Sequence, residues 1–216
     1  MENVDLLEFT GMPERVISVL KGIEIDIPET DLNRSLFFYG PSGSGKTIRA
    51  ATTLAQSLFK VLDISHVREM LRPNSYEYIG DRTPWFAKQY IFTRVPDLLL
   101  KIKSTYNKIP NQYQKEIEKD IIDLYSNASL LVLDDLGTEL TTDWAYFTLY
   151  LIVDNRYNNM LPTIFTSNFS LEQLVGKFVD ERLVSRIMEM CTKKGVRRIG
   201  GKDKVNYRLE IYKGEK

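Results

Sequence analysis

Lys46 and Thr47 close the run Gly40-Pro41-Ser42-Gly43-Ser44-Gly45, and Asp134 and Asp135 close the apolar run Leu130-Leu-Val-Leu. These residue types suit phosphoryl chemistry on a nucleotide. Gly40, Gly43 and Gly45 allow backbone conformations that a Cβ would block, so successive N–H groups can converge on a phosphate chain. A helix opening near Lys46 adds its positive dipole end. Lys46 then reaches the β- and γ-phosphates as a point charge, and the Thr47 hydroxyl is placed to ligate Mg²⁺. On the second run, Asp134 would hold Mg²⁺ directly or through water, and Asp135 would orient or polarise the attacking water. Taken alone, the first run could be a glycine-rich turn and the second an acidic cap after a core strand. Their occurrence together favours the nucleotide reading.

Three more polar residues have suggestive positions. Asn168 ends Pro162-Thr-Ile-Phe-Thr-Ser, where it could hydrogen-bond a γ-phosphate or the lytic water, although asparagine is also a common turn residue. Arg182 and Arg186 lie four apart and share a helix face. A guanidinium offered to a neighbouring subunit's γ-phosphate is one reading, and a surface salt bridge with Asp180 or Glu189 is the other.

The flanking sequence supplies the elements that such a site needs. Leu36 to Tyr39 suits a buried strand and Ile48 to Gln56 a helix, giving strand, loop and helix in the required order. Leu130 to Leu133 reads as a strand buried on both faces, as in a parallel sheet covered by helices. Pro162 to Asn168 is another buried strand, ending in polar residues, and Tyr90 to Val95 also reads as a strand. Helices are expected after Pro96, over Gln112–Ser126, over Asp143–Asn158 with Trp144, Phe147 and Leu151 on one face, and over Asp180–Met190. Gly195 to Tyr212 is basic and then alternates, as a closing strand would, with Arg208 near its start. Glu14 to Lys21 is a short helix after the Gly11-Met12-Pro13 turn. Met12 and Val16 form a candidate adenine wall, or simply a helix packed on the sheet.

The alternation of strands and helices predicts an α/β P-loop sandwich, a parallel sheet of about five strands with helices on both faces. Ligands would bind at the carboxyl ends of the strands. At 216 residues the chain is expected to form one domain. Lys plus Arg, 29, equals Asp plus Glu, 29, so affinity for nucleic acid would have to come from local patches. Lys101, Lys103 and Lys108 with Tyr106 are one such patch on a helix, although a charged helical face is usually just solvated. Trp85-Phe86, between Arg82 and Lys88, could stack on bases or, the commoner fate of aromatics, cover a hydrophobic edge. Single residues Cys191 and His66 exclude an internal disulfide and a zinc constellation. No apolar run reaches the roughly 20 residues that span a bilayer, and the acidic start is no secretory signal, so the expectation is a cytoplasmic protein without a membrane partner.

From about Gly11 to Arg208 the chain resembles the DnaC/IstB group of AAA+ ATPases, which are helicase loaders and transposition-associated ATPases. The specific parts are Leu131-Val-Leu-Asp-Asp-Leu-Gly-Thr-Glu139, Asn155-Arg-Tyr, Pro162 to Asn168, Glu181-Arg-Leu-Val-Ser-Arg186 and Asn206-Tyr-Arg208. The resemblance implies an AAA+ core with a minimal C-terminal lid, ATP and Mg²⁺ as ligands, and Asp134 and Asp135 as the Walker B pair. It further implies Asn168 as sensor 1, Arg186 as the arginine finger with Arg182 as runner-up, and Arg208 as sensor 2. The helix pair after Thr93 matches an insertion that faces single-stranded DNA in relatives. Implied partners are single-stranded DNA, a replicative helicase or other replication or transposition protein, and further copies of the chain. Two departures are expected. About ten residues precede Gly11, so the helicase-gripping N-terminal domain of typical loaders is missing, and residues 59–88 form a longer link than usual. The alternatives are an IstB-like DNA-targeting adaptor and a P-loop small-molecule kinase, against which the Asp-Asp pair and the Arg182/Arg186 face argue.

Overall fold

The computed structural model describes residues 4–22, 27–32, 34–63, 84–105, 111–137, 142–178 and 180–200. Five parallel strands carry the molecule: β1 (Leu36–Tyr39), β2 (Tyr90–Arg94), β3 (Leu130–Leu136), β4 (Thr163–Ser167) and β5 (Val196–Arg198), in the order β2-β3-β4-β1-β5. Eight residues of the three central strands show why the sheet must be covered twice. Leu130, Val132, Leu36 and Phe38 face one side, Leu131, Leu133, Phe37 and Phe165 the other, and all are buried. With both faces apolar, the strands read as continuous hydrophobic runs instead of alternating ones.

Helices α1 (Glu14–Gly22) and α2 (Lys46–Val61) cover the first face, with Val16, Ile17, Leu20, Leu54 and Leu58 in a shared cluster. The opposite face is covered by α3 (Val95–Ser104), α5 (Asp143–Asn158), α6 (Leu171–Val175) and α7 (Arg182–Gly195), with α4 (Asn111–Asn127) packed beside α5. This is the expected α/β P-loop architecture. Helix starts follow local chemistry. Pro96 opens α3, where a missing N–H costs nothing, the Thr142 hydroxyl accepts from Ala145 N to cap α5, and Ser170 with Gln173 forms a capping box on α6.

The N-terminal segment masks the free edge of β2. A 3₁₀ helix, Val4–Thr10, buries Leu6 and Leu7 beside Tyr90 and Phe92, and the chain then turns at Gly11 with φ of 79°. A Cβ there would lie 2.8 Å from the Phe92 carbonyl oxygen, so only glycine permits this approach. Phe86 is buried, with Phe9 and Trp85 set edge-on around it. Trp85 itself remains half exposed.

Among the described residues the largest fully buried side chain is Arg156. Its Nε donates to Thr163 Oγ1 at 2.8 Å, Nη1 to the carbonyls of Tyr125, Ser126 and Ala128, and Nη2 to that of Pro162 at 2.7 Å. It therefore satisfies carbonyls at the end of α4 with a cation, which also suits the dipole there. Burial pushes the guanidinium down to about 9, still well above neutrality.

Two expectations need amendment. On α5 the core face is Ala145, Tyr146, Leu149, Ile152, Val153 and Arg156, whereas Phe147 and Leu151 are each 49% exposed. The helix is apolar almost all round, so spacing alone does not show which stripe faces the sheet. The closing strand is short, Val196–Arg198, and residues beyond 200 lie outside the described residues. So do His66, Arg82 and most of the 59–88 link.

Candidate active site

The loop from Gly40 to Gly45 joins β1 to α2 at the carboxyl edge of the sheet. It is gripped on both sides. Gly40 N donates to Ser167 O of β4 at 3.2 Å, and Ile199 N, just past β5, donates to Tyr39 O at 2.7 Å. A Cβ on Gly40 would lie 2.1 Å from Ile199 O, and Gly45, at φ of 92°, turns the chain into the first turn of α2. Pro41 and Ser42 face solvent, while the Ser44 hydroxyl is buried with no hydrogen-bond partner.

Lys46 is buried, and its Nζ donates to Gly40 O at 2.9 Å, Pro41 O at 2.8 Å and Asn168 Oδ1 at 3.0 Å. Thr47 Oγ1 donates to Asp134 Oδ1 at 2.9 Å. Thr166 Oγ1 donates to the same oxygen at 2.6 Å and accepts from Asp135 N at 3.0 Å. The ladder between β3 and β4 slips between Leu133 and Leu136, and Asp135 takes φ of 66°. Such a bulge re-aims side chains at the end of a strand. Here it leaves Asp134 buried toward Thr47 and Asp135 half-buried beside Asn168, whose Nδ2 donates to Asp135 Oδ1 at 3.3 Å.

Burial is the main cause that raises the Asp134 carboxyl above its ordinary range, and the neighbouring charge of Asp135 adds to it. Hydrogen bonds from Thr166 and Thr47 and the charge of Arg94 act in the opposite direction. A hydroxyl and a carboxylate are the hard oxygen donors that Mg²⁺ takes alongside phosphate oxygens. Among the described residues no cluster of His, Cys, Asp and Glu could cage a metal by itself. The orphaned Ser44 hydroxyl, in the loop beside them, also fits a polar ligand at this place.

The structure brings Gly40 to Thr47, Asp134, Asp135 and Asn168 together. Met12 is buried, together with Val16, in the core cluster that α1 shares with α2. Arg182 and Arg186 lie elsewhere, on α7. Arg182 Nε pairs with Asp180 Oδ2 at 2.6 Å, and Arg186 Nε pairs with Asp154 of α5, a partner that spacing along the chain does not indicate. Lys101 and Lys103 are exposed on α3, with Lys101 Nζ 5.5 Å over the Tyr125 ring. Tyr106, Lys108 and Arg208 lie outside the described residues.

Arg94 is a member that inspection of the chain overlooks. It ends β2 in register with Asp134, and its guanidinium is 3.7 Å from Asp135 Oδ2 and 3.7 Å from Asp97 Oδ2. Its one sequence signal is a cation at the carboxyl end of a strand. Thr166 is equally hidden within its run.

No protein-family model matches the chain. Phage-like element PBSX protein XkdC of Bacillus subtilis is 38% identical over 165 residues, covering 69% of this chain and 59% of that protein. Replicative helicase loader DnaI of Bacillus subtilis is 25% identical over 169 residues, covering 74% of this chain and 44% of that protein. The chain thus spans about half the length of these curated relatives. A crystal structure of the DnaC helicase loader superposes with a TM-score of 0.54 at 25% identity, covering 86% of this chain and 89% of that one. AMPPCP-bound DnaA from Aquifex aeolicus shares the fold, with a TM-score of 0.55 at 18% identity, covering 94% of this chain and 49% of that one. Sequence and structure liken the chain to the helicase loaders DnaI and DnaC, which with DnaA belong to the initiator-clade AAA+ ATPases, and the likeness to DnaA is one of fold alone.

Proposed function

From that likeness to initiator-clade AAA+ ATPases, we propose that the protein binds ATP with Mg²⁺ and hydrolyses it to ADP and phosphate in a replication step of helicase-loader type. The observation that carries this reading is the hydrogen-bonded chain from the loop to two strand ends: Thr47 to Asp134, and Lys46 through Asn168 to Asp135. It gathers the candidate phosphate, metal and water ligands in one hydrogen-bonded cluster, which supports the reading.

In this reading the backbone N–H groups of residues 40–47 and Lys46 bind the β- and γ-phosphates. Thr47 and Asp134 hold Mg²⁺, which when bound neutralises charge developing on the phosphate oxygens. Asp135 orients the attacking water and accepts its proton as the bond to the γ-phosphorus forms and that to the β-phosphate bridge oxygen breaks. Asn168 fixes that water or a γ-oxygen, and Arg94 holds Asp135 in place. Arg186, with Arg182 beside it, serves the neighbouring protomer's γ-phosphate, and Arg208 serves as the second sensor. Hydrolysis by a lone protomer is slow, because a finger supplied in trans contributes a factor of about 10³ or more. Single-stranded DNA, gripped by Lys101 and Lys103 of α3 together with Tyr106 and Lys108, assembles the protomers.

The test is the ATPase rate against protein concentration, with and without single-stranded DNA, for wild type and Arg186→Ala. A rate per protomer that climbs with concentration and DNA, and falls about 10³-fold in the variant while nucleotide still binds, supports the reading. A rate indifferent to DNA and to Arg186 refutes it.

A further inference from the structure

Helix α5 turns one face toward α7, formed by Tyr150, Asp154 and Tyr157 at helical spacing. Arg186 lies against that face. Its Nε donates to Asp154 Oδ1, and its Cζ sits 4.9 Å from the Tyr150 ring centroid and 5.6 Å from that of Tyr157. The anchor is itself braced, since Asn158 Nδ2 donates to Asp154 Oδ2 at 3.3 Å and the Tyr157 hydroxyl donates to Glu189. Of the five N–H donors of a guanidinium, Nε is held by Asp154 and one at Nη1 reaches Arg182 O at 3.4 Å. Three donors remain, one on Nη1 and two on Nη2, and such Nη donors can take phosphate oxygens in a bidentate pair.

We infer that Asp154 and Tyr150 are positioning residues that hold the Arg186 guanidinium by its Nε corner and its face, so that its outer edge is presented to an anion on a neighbouring copy. The inference rests on the proposed role of Arg186 as a finger in trans. Tyr150 also lies 5.3 Å from the Arg182 Cζ, so one ring orders both arginines. A long side chain ordered before assembly loses little rotamer freedom when it meets its target. The opposite function for the same contact, a latch that withholds Arg186, predicts the opposite sign of effect.

The experiment mixes two protomers. Arg186→Ala supplies nucleotide sites without a finger, and Lys46→Ala supplies a finger without a working site, so turnover arises where the second serves the first. Into the Lys46→Ala donor are added Asp154→Asn, Tyr150→Leu or Tyr150→Phe, and each donor's thermal midpoint is recorded. Mislocated by about an ångström, a reacting group loses on the order of 10²-fold, so Asp154→Asn donors are expected to lower kcat about 10- to 100-fold with KM unchanged. Tyr150→Leu donors should behave likewise, while Tyr150→Phe, which keeps the stacking face, supports turnover like the parent. Undiminished or raised turnover with folded Asp154→Asn and Tyr150→Leu donors overturns the inference and leaves the finger standing. An inert parental mixture, with active wild type, overturns the finger itself and the positioning role with it.

Discussion

Thr47 and Asp134, 87 residues apart in the chain, share a hydrogen bond of 2.9 Å that ties the first turn of α2 to the end of β3. It falls on a carboxylate whose protonation burial favours. A carboxyl raised on folding binds more protons in the native state than in the unfolded one. Its ionisation therefore opposes folding: stability is greatest below the unfolded value and declines as pH rises through the folded one. Asp134→Asn is thus expected to raise the thermal midpoint at neutral pH while abolishing Mg²⁺-dependent ATP turnover. A midpoint lower than wild type would contradict this, and differential scanning calorimetry reads it directly.

Arg94 couples to the same carboxylate, lowering its proton affinity from the neighbouring strand. Removing the cation should move the acid limb of the kcat profile to higher pH. Arg94→Ala is also expected to slow turnover by about 10-fold at neutral pH, one lost electrostatic contact, with little change in nucleotide affinity. An unmoved acid limb would show that Arg94 does not act on Asp134 and serves only Asp135 and Asp97.

Arg156 answers five oxygen acceptors from complete burial. Arg156→Met keeps much of the volume and strands those acceptors, each unsatisfied buried group costing roughly 1–3 kcal/mol, so a loss on the order of 3 kcal/mol or more is expected. For a domain of this size that lowers the midpoint by roughly 6–12 °C. Urea unfolding is the check, and a loss below about 1 kcal/mol would mean that water replaces the guanidinium.

Lys101 and Lys103 are exposed on α3. If both touch phosphates, Lys101→Gln with Lys103→Gln weakens binding to every single-stranded sequence alike. The slope of log K against log salt should then shrink by about 1.4, twice the single-strand value per contact. Fluorescence anisotropy at several salt concentrations measures it, and an unchanged slope removes these lysines from the DNA face.

The strands and the loop were legible because their signals are contiguous. Leu130 to Asp135 declares a doubly buried strand with acids at its end, and Gly40 to Thr47 declares its turn through residue type alone. Arg94 was not legible, because its meaning comes from β2 lying next to β3, and that order is a property of the sheet. Asp154 was hidden for a related reason: the choice among Asp180, Glu189 and Asp154 as partners depends on how α5 is rotated against α7. Phe147 and Leu151 misled, since a helix apolar around most of its circumference gives periodicity nothing to select. Arg156 stood within a recognisable Asn-Arg-Tyr run, yet a charged residue at the centre of a core is the reverse of what hydropathy leads one to expect.

The glycine that lets the N-terminal segment lie against Phe92 also bears on how the protein behaves in concentrated solution. An uncovered strand with free carbonyl and amide groups invites pairing with another molecule, and β2, with Tyr90, Ile91 and Phe92 in succession, has the composition of a segment that would recruit more of its kind. The covering turn therefore works as a guard against aggregation. A bulkier residue at Gly11 would first be felt as turbidity, before any change at the phosphate loop.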